Sequence, residues 1–229
     1  MELEIITLNE TDTLQVERLG ATRVELVSAM QEGGLTPSYG TIKNVLATAS
    51  IPVQIMVRPH SDGFVYNETD WKTIKEDLLA IKSLGGNRIV FGALTDVGHI
   101  DETLLNKVIE CVPDFDITFH RAFDDARSQV EAYHILNKYK HHVKRILTSG
   151  GKPNAIDGID NLRQLIQLSK QLNGPKILVG SGVKPGNLEE LHNELQATEY
   201  HIGSGVRLNQ DFSKDLDAVK MKQVTSYLF

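Results

Sequence analysis

The chain has 229 residues, of which 41% are hydrophobic, enough for one sizeable core. Its net charge of −6, without a basic stripe, argues against a nucleic-acid partner. No window approaches the roughly 18 apolar residues of a membrane helix. The single cysteine, Cys111, excludes a disulfide framework and any Cys-rich metal site.

The N-terminus is acidic and enters an apolar run at once, unlike a signal peptide, so a soluble cytoplasmic protein is expected. The first strand is predicted over 3–8 and the first helix over 10–19, with Asn9 as cap and Asp12 three residues on. A strand over 23–27 precedes a helix over 38–49, announced by Thr36-Pro37. Strand 53–57 and helix 70–84 follow, the latter with Ile74, Leu78 and Ile81 on one face and Asn67 with Asp70 at its start. Then come strand 88–91 and helix 101–111, strand 116–120 and helix 128–139, and strand 144–147 and helix 159–172. Strand 176–179 with helix 186–195 and strand 200–203 with helix 217–227 complete the series. Eight strands alternating with eight helices predict an α/β fold, a TIM-type (β/α)8 barrel, as one domain over 1–229. An open doubly wound sheet is the alternative. It is disfavoured because several strands alternate polar with apolar residues, whereas strands buried on both faces read as continuous apolar runs.

In a barrel the site lies at the C-terminal ends of the strands. A strand period of two directs Glu25, Arg58, His120, Thr148 and His201 towards the axis. These residues form either a reactive mouth or a merely salt-bridged one, in which Glu25 pairs with Arg58. Three glycine-rich turns follow the last three strands: Ser149-Gly150-Gly151, Gly180-Ser181-Gly182 and Gly203-Ser204-Gly205. Such turns cradle a phosphate through backbone N–H groups, or simply turn tightly. The loop Pro59–Tyr66 holds Phe64 and reads as a lid or an ordinary loop. Met30 and Met56 read as packing residues, and His141-His142 as a solvated turn.

Several segments together resemble the CutC family, associated with copper homeostasis. They are Arg23-Val24-Glu25-Leu26, Gly33-Gly34-Leu35-Thr36-Pro37-Ser38, Met56-Val57-Arg58-Pro59, Gly63-Phe64-Val65-Tyr66, Val90-Phe91-Gly92-Ala93-Leu94, Thr118-Phe119-His120-Arg121-Ala122-Phe123-Asp124 and Arg145-Ile146-Leu147-Thr148-Ser149-Gly150. The resemblance implies a TIM-type barrel, a cytoplasmic location and a homo-oligomer, dimer or tetramer. In many relatives a cysteine follows the Glu-Leu of the second strand; Val27 stands there in this chain. Copper(I) prefers thiolate and thioether donors, so His120, His201 and Glu25 form a metal-ligand set better suited to a divalent ion.

Three functions follow. The first is a copper-homeostasis barrel with copper or another divalent metal at His120, His201 and Glu25. The second is an enzyme or sensor for a small phosphorylated or anionic metabolite, with Glu25, Arg58 and His120 as the catalytic set. Arg121, Thr148, Ser149, Gly150, Gly180, Ser181, Gly182, Gly203 and Ser204 would then bind substrate. The third is a non-catalytic oligomeric scaffold.

Overall fold

The structure, a computed structural model, describes residues 1–228. Eight parallel strands close into a barrel in sequence order. They are β1 (Glu2–Thr7), β2 (Arg23–Leu26), β3 (Val53–Met56), β4 (Arg88–Phe91), β5 (Asp116–Phe119), β6 (Val143–Thr148), β7 (Lys176–Val179) and β8 (Glu199–Ile202). Closure comes from β1 pairing with β8, Glu4 opposite His201. Each strand is followed by an outer helix: α1 (Glu10–Arg18), α2 (Tyr39–Thr48), α3 (Glu68–Ser83), α4 (Glu102–Cys111), α5 (Gln129–Lys138), α6 (Ile159–Leu172), α7 (Pro185–Leu195) and α8 (Ala218–Leu228). The expected barrel is therefore observed.

Local chemistry explains the elements. The Asn9 side chain accepts from the Asp12 amide, and Asn67 and Asp70 form a reciprocal capping box. Proline opens α7, where its missing N–H costs nothing. The helices bury one stripe: Ile74, Leu78 and Ile81 in α3, Leu162, Leu165 and Ile166 in α6. These residues meet the outward strand side chains, such as Val24, Leu26, Ile55 and Ile117, in one continuous core between sheet and helices. Among the described residues no helix is long and apolar enough to cross a membrane.

The barrel interior is divided. Near the N-terminal ends of the strands it is ionic. Three buried or half-buried carboxylates, Glu4, Asp116 and Glu199, face three guanidinium groups, Arg23, Arg88 and Arg145. Arg23 bridges Glu4 and Glu199, the latter at 2.8 Å, and Arg145 grips Asp116 at 2.6 and 3.0 Å. Buried charge persists only when paired in this way. The other end opens into a cavity.

Candidate functional site

A cavity of about 310 Å³ occupies the C-terminal mouth of the barrel, at the small end of the range for small-molecule sites. Glu25, Arg58, His120 and His201 all line it. Each sits on the inward parity of its strand or just beyond the strand end, so the period-two reading locates them together. Thr148 does not join them. Leu147 is the β6 residue that lines the cavity, while Thr148 donates to Asp124 on the other face. Inward parity in β6 runs through Arg145, which is spent in the ionic layer, to apolar Leu147.

At the cavity floor Glu4, His201 and Glu25 form a buried relay. His201 Nδ1 lies 2.7 Å from Glu4, and its Nε2 faces Glu25 Oε2 at 3.8 Å. Burial disfavours charge on Glu4, but Arg23 and His201 outweigh it and hold its pKa well below the usual carboxylate range. Burial also opposes charge on His201, yet Glu25 and Glu4 raise its pKa. Glu25 behaves oppositely. Burial, aided by the Glu4 charge, pushes its pKa up to about 7. Its Oε1 is buried and has no hydrogen-bond partner.

His120 is neutral. Its Nδ1 accepts from the Ala122 amide at 3.1 Å, which places the remaining proton on Nε2. Burial first, and the Arg58 charge second, lower its pKa to about 3. Nε2 is buried without a partner. Gly92 leaves room for the ring, since a Cβ there would fall 2.6 Å from Nδ1. As pH falls, the unfolded chain protonates His120 near 6.5, long before the folded chain does. At this residue the unfolded state binds more protons in that window, so the His120 contribution to stability drops on acidification, by up to about 1.4 kcal/mol per pH unit. His120→Gln should flatten this acid limb in urea unfolding between pH 7 and 5. Parallel curves for the two proteins would contradict it.

Arg58 is 93% buried in effect, with only 7% of its surface exposed, yet among the described residues no carboxylate pairs with it. It does not pair with Glu25. Its guanidinium donates to the carbonyls of Glu32 (3.1 Å), Gly34 (3.2 Å) and Ser61 (3.5 Å), and Nε has no partner. Phe64 packs on both Arg58 and His120, with ring centroids 4.9 Å apart in the second case, so the loop Pro59–Tyr66 roofs this side of the cavity.

The glycine turns divide in two. The turn after β6 is filled from within: the Asp124 carboxylate accepts from the amides of Ser149 and Gly151, from the Thr148 and Ser149 hydroxyls, and from Arg121 Nε at 2.7 Å. The Gly150 amide donates to Thr148 Oγ1. Thr148 and Ser149 therefore hold the protein's own anion rather than a ligand's, and the Gly150 amide is spent on Thr148. Arg121 reaches the cavity edge, but its guanidinium is committed to Asp124 and Ser149. The Gly180 amide is likewise used, on the Thr148 carbonyl. By contrast Ser181, Gly182, Gly203 and Ser204 rim the cavity. Ser181 and Gly182 both take φ of +70°, and among the described residues the amides of Ser181, Gly182 and Val183 donate to no protein atom.

The donor set offers little to a metal. Only Glu4, Glu25 and His201 among the described residues bring ligand atoms within 4.8 Å of one another; His120 is outside the group. Two oxygens and one nitrogen are a poor match for copper(I). Glu4 is already held by Arg23 and His201. The thioethers of Met30 and Met56 line the cavity and approach each other over Gly34, but no thiolate joins them, and Cys111 closes α4 in the outer ring. The residues do not fit a preformed copper(I) site.

A sequence model described as the CutC family matches residues 1–206. A protein of Serratia proteamaculans named family protein CutC is 37% identical over 205 residues, covering 90% of this chain and 79% of its own. The human copper homeostasis protein cutC homolog is 34% identical over 202 residues, 88% of this chain and 72% of its own. The crystal structure of a CutC from Streptococcus agalactiae superposes with a TM-score of 0.81 at 29% identity, over 89% of this chain and 98% of that one. A phosphoribosyl anthranilate isomerase from Thermococcus kodakaraensis shares the fold at 14% identity, with a TM-score of 0.63 over 98% and 97% of the two chains. With its motifs, its barrel and these relatives in agreement, the chain belongs to the CutC family.

Proposed function

We propose that this chain serves copper homeostasis, as the names of its mouse and human relatives state, by binding a small anionic metabolite at the barrel mouth. The reading places it in the cytoplasm as a homo-oligomer, on the family resemblance. The observation that carries it is Arg58: a buried cation, held by carbonyls, with no countercharge among the described residues. An uncompensated buried charge is costly, and a ligand anion is the missing partner. A guanidinium suits carboxylate or phosphate. The unspent amides of Ser181, Gly182 and Val183 supply further donors on the same rim.

Calorimetric titration separates this from direct copper handling. Inorganic phosphate and small phosphorylated or carboxylated metabolites should bind, while copper(I) should bind no tighter than micromolar. Stoichiometric, tight copper(I) binding that is lost in the Met30→Leu, Met56→Leu double variant would overturn the reading. So would a failure of every anion to bind.

A further inference from the structure

The geometry points to a catalytic activity: enolisation of a small phosphorylated or carboxylated α-hydroxy carbonyl compound, with Glu25 carrying the carbon-bound proton and His120 donating to the carbonyl oxygen. This rests on the anion-binding reading of Arg58. Three cavity residues each keep one buried atom without a partner: Glu25 Oε1, His120 Nε2 and Arg58 Nε. The three atoms have three different capacities. A carboxylate oxygen takes a proton. An imidazole N–H, with Nδ1 committed to the Ala122 amide, donates to an oxygen without giving up its proton readily. A guanidinium fixes an anion. A carbonyl compound with a charged tail needs one of each.

Other chemistries lack their parts. No lysine, aspartate or cysteine lines the cavity, which removes Schiff-base and thiolate routes among the described residues. The relay behind Glu25 supports the proposed one. Glu4 fixes His201 by its Nδ1 at 2.7 Å, and His201 turns Nε2 towards Glu25 at 3.8 Å. At 3.8 Å that contact is electrostatic rather than a hydrogen bond, so the Glu25 carboxyl stays free to meet a substrate, and Phe64 limits water on the Arg58 and His120 side.

The step balances without an added reagent. The C–H bond next to the carbonyl breaks and its proton passes to Glu25. The electron pair forms the carbon–carbon double bond, and the carbonyl π pair moves onto oxygen, held by His120 Nε2–H. Glu25 then returns the proton to the same face of the same carbon, restoring it. Alternatively the remaining hydroxyl proton crosses between the two enediol oxygens and Glu25 protonates the neighbouring carbon, moving the carbonyl by one position. No electron leaves the substrate.

The test is hydrogen–deuterium exchange in D2O, followed by proton NMR, with dihydroxyacetone phosphate, ribulose 5-phosphate and hydroxypyruvate. Calorimetry on the same samples measures binding. Exchange above buffer is expected with at least one compound that binds. Glu25→Gln should slow it by about 10²–10⁴-fold and leave affinity within a few-fold, and His120→Gln should also slow it. Retained affinity in the Glu25→Gln protein shows that the variant is folded. Binding without exchange overturns the enolisation and leaves the anion site standing. No binding overturns both. Exchange that survives Glu25→Gln overturns the role of Glu25.

Discussion

Arg23→Met should lower the unfolding free energy by about 3–5 kcal/mol at pH 7, because it strands buried carboxylates rather than removing a surface pair. Arg23 is 4% exposed and touches Glu4 and Glu199, which are 0% and 3% exposed. In a chain of this length the loss corresponds to a melting temperature lower by about 6–20 °C. The pH dependence identifies the cause. In the native protein Arg23 and His201 keep Glu4 ionised against its burial, so Glu4 contributes stability that disappears only below its ordinary pKa of 4.5. Without Arg23, burial dominates and raises the folded pKa of Glu4 above the unfolded value. At Glu4 the folded variant then binds more protons than the unfolded one, so the Glu4 contribution to its stability rises as pH falls from 7 towards 5. The gap between the two proteins should therefore narrow over that range in urea unfolding followed by circular dichroism. A deficit below about 1 kcal/mol, or one independent of pH, would show that the ionic layer does not act in this way.

How far the sequence reaches depends on the distance over which each feature is decided. Strands and helices are local, and the eight alternating runs carry the barrel with boundaries mostly within two residues. Parity is also local, and it brings Glu25, Arg58, His120 and His201 to one mouth. Parity at the strand ends does not single out Glu4, which lies in the first half of β1; its partner His201 is 197 residues away and becomes a neighbour only when β1 closes on β8. Thr148 departs from the expectation because it shares its parity with Ile146, which faces the helices. In β6 the inward positions go to Arg145 and Leu147, and Thr148 serves Asp124 instead. The three glycine turns look alike in sequence. The carboxylate that fills the first of them arrives from the preceding βα loop, and no spacing within the turn itself reveals that. The Glu25 and Arg58 pair, plausible on charge alone, is absent because the Glu32, Gly34 and Ser61 carbonyls hold the guanidinium.

The two buried arginines should respond to truncation in opposite ways. Arg23 and Arg58 are 4% and 7% exposed, but Arg23 has two carboxylate partners and Arg58 has none. Replacing Arg58 by methionine leaves three carbonyls short of a donor, which costs stability, and also removes the desolvation of an unpaired guanidinium, which restores it. The two contributions oppose, so Arg58→Met should change the unfolding free energy of the ligand-free protein by no more than about 1 kcal/mol, far less than Arg23→Met. Ligand binding should behave in reverse. Hydrogen bonds to a charged group contribute about 1.5–3 kcal/mol each, so anion affinity should fall by at least about tenfold to hundredfold. Arg23→Met, which leaves the mouth intact, should alter affinity only as far as the Glu4 relay disturbs Glu25. Paired calorimetry and urea unfolding on the two variants measure both quantities. If Arg58→Met destabilised the ligand-free barrel as much as Arg23→Met and left anion affinity unchanged, Arg58 would be a structural clamp for the loop Pro59–Tyr66 and the anion site would lie elsewhere.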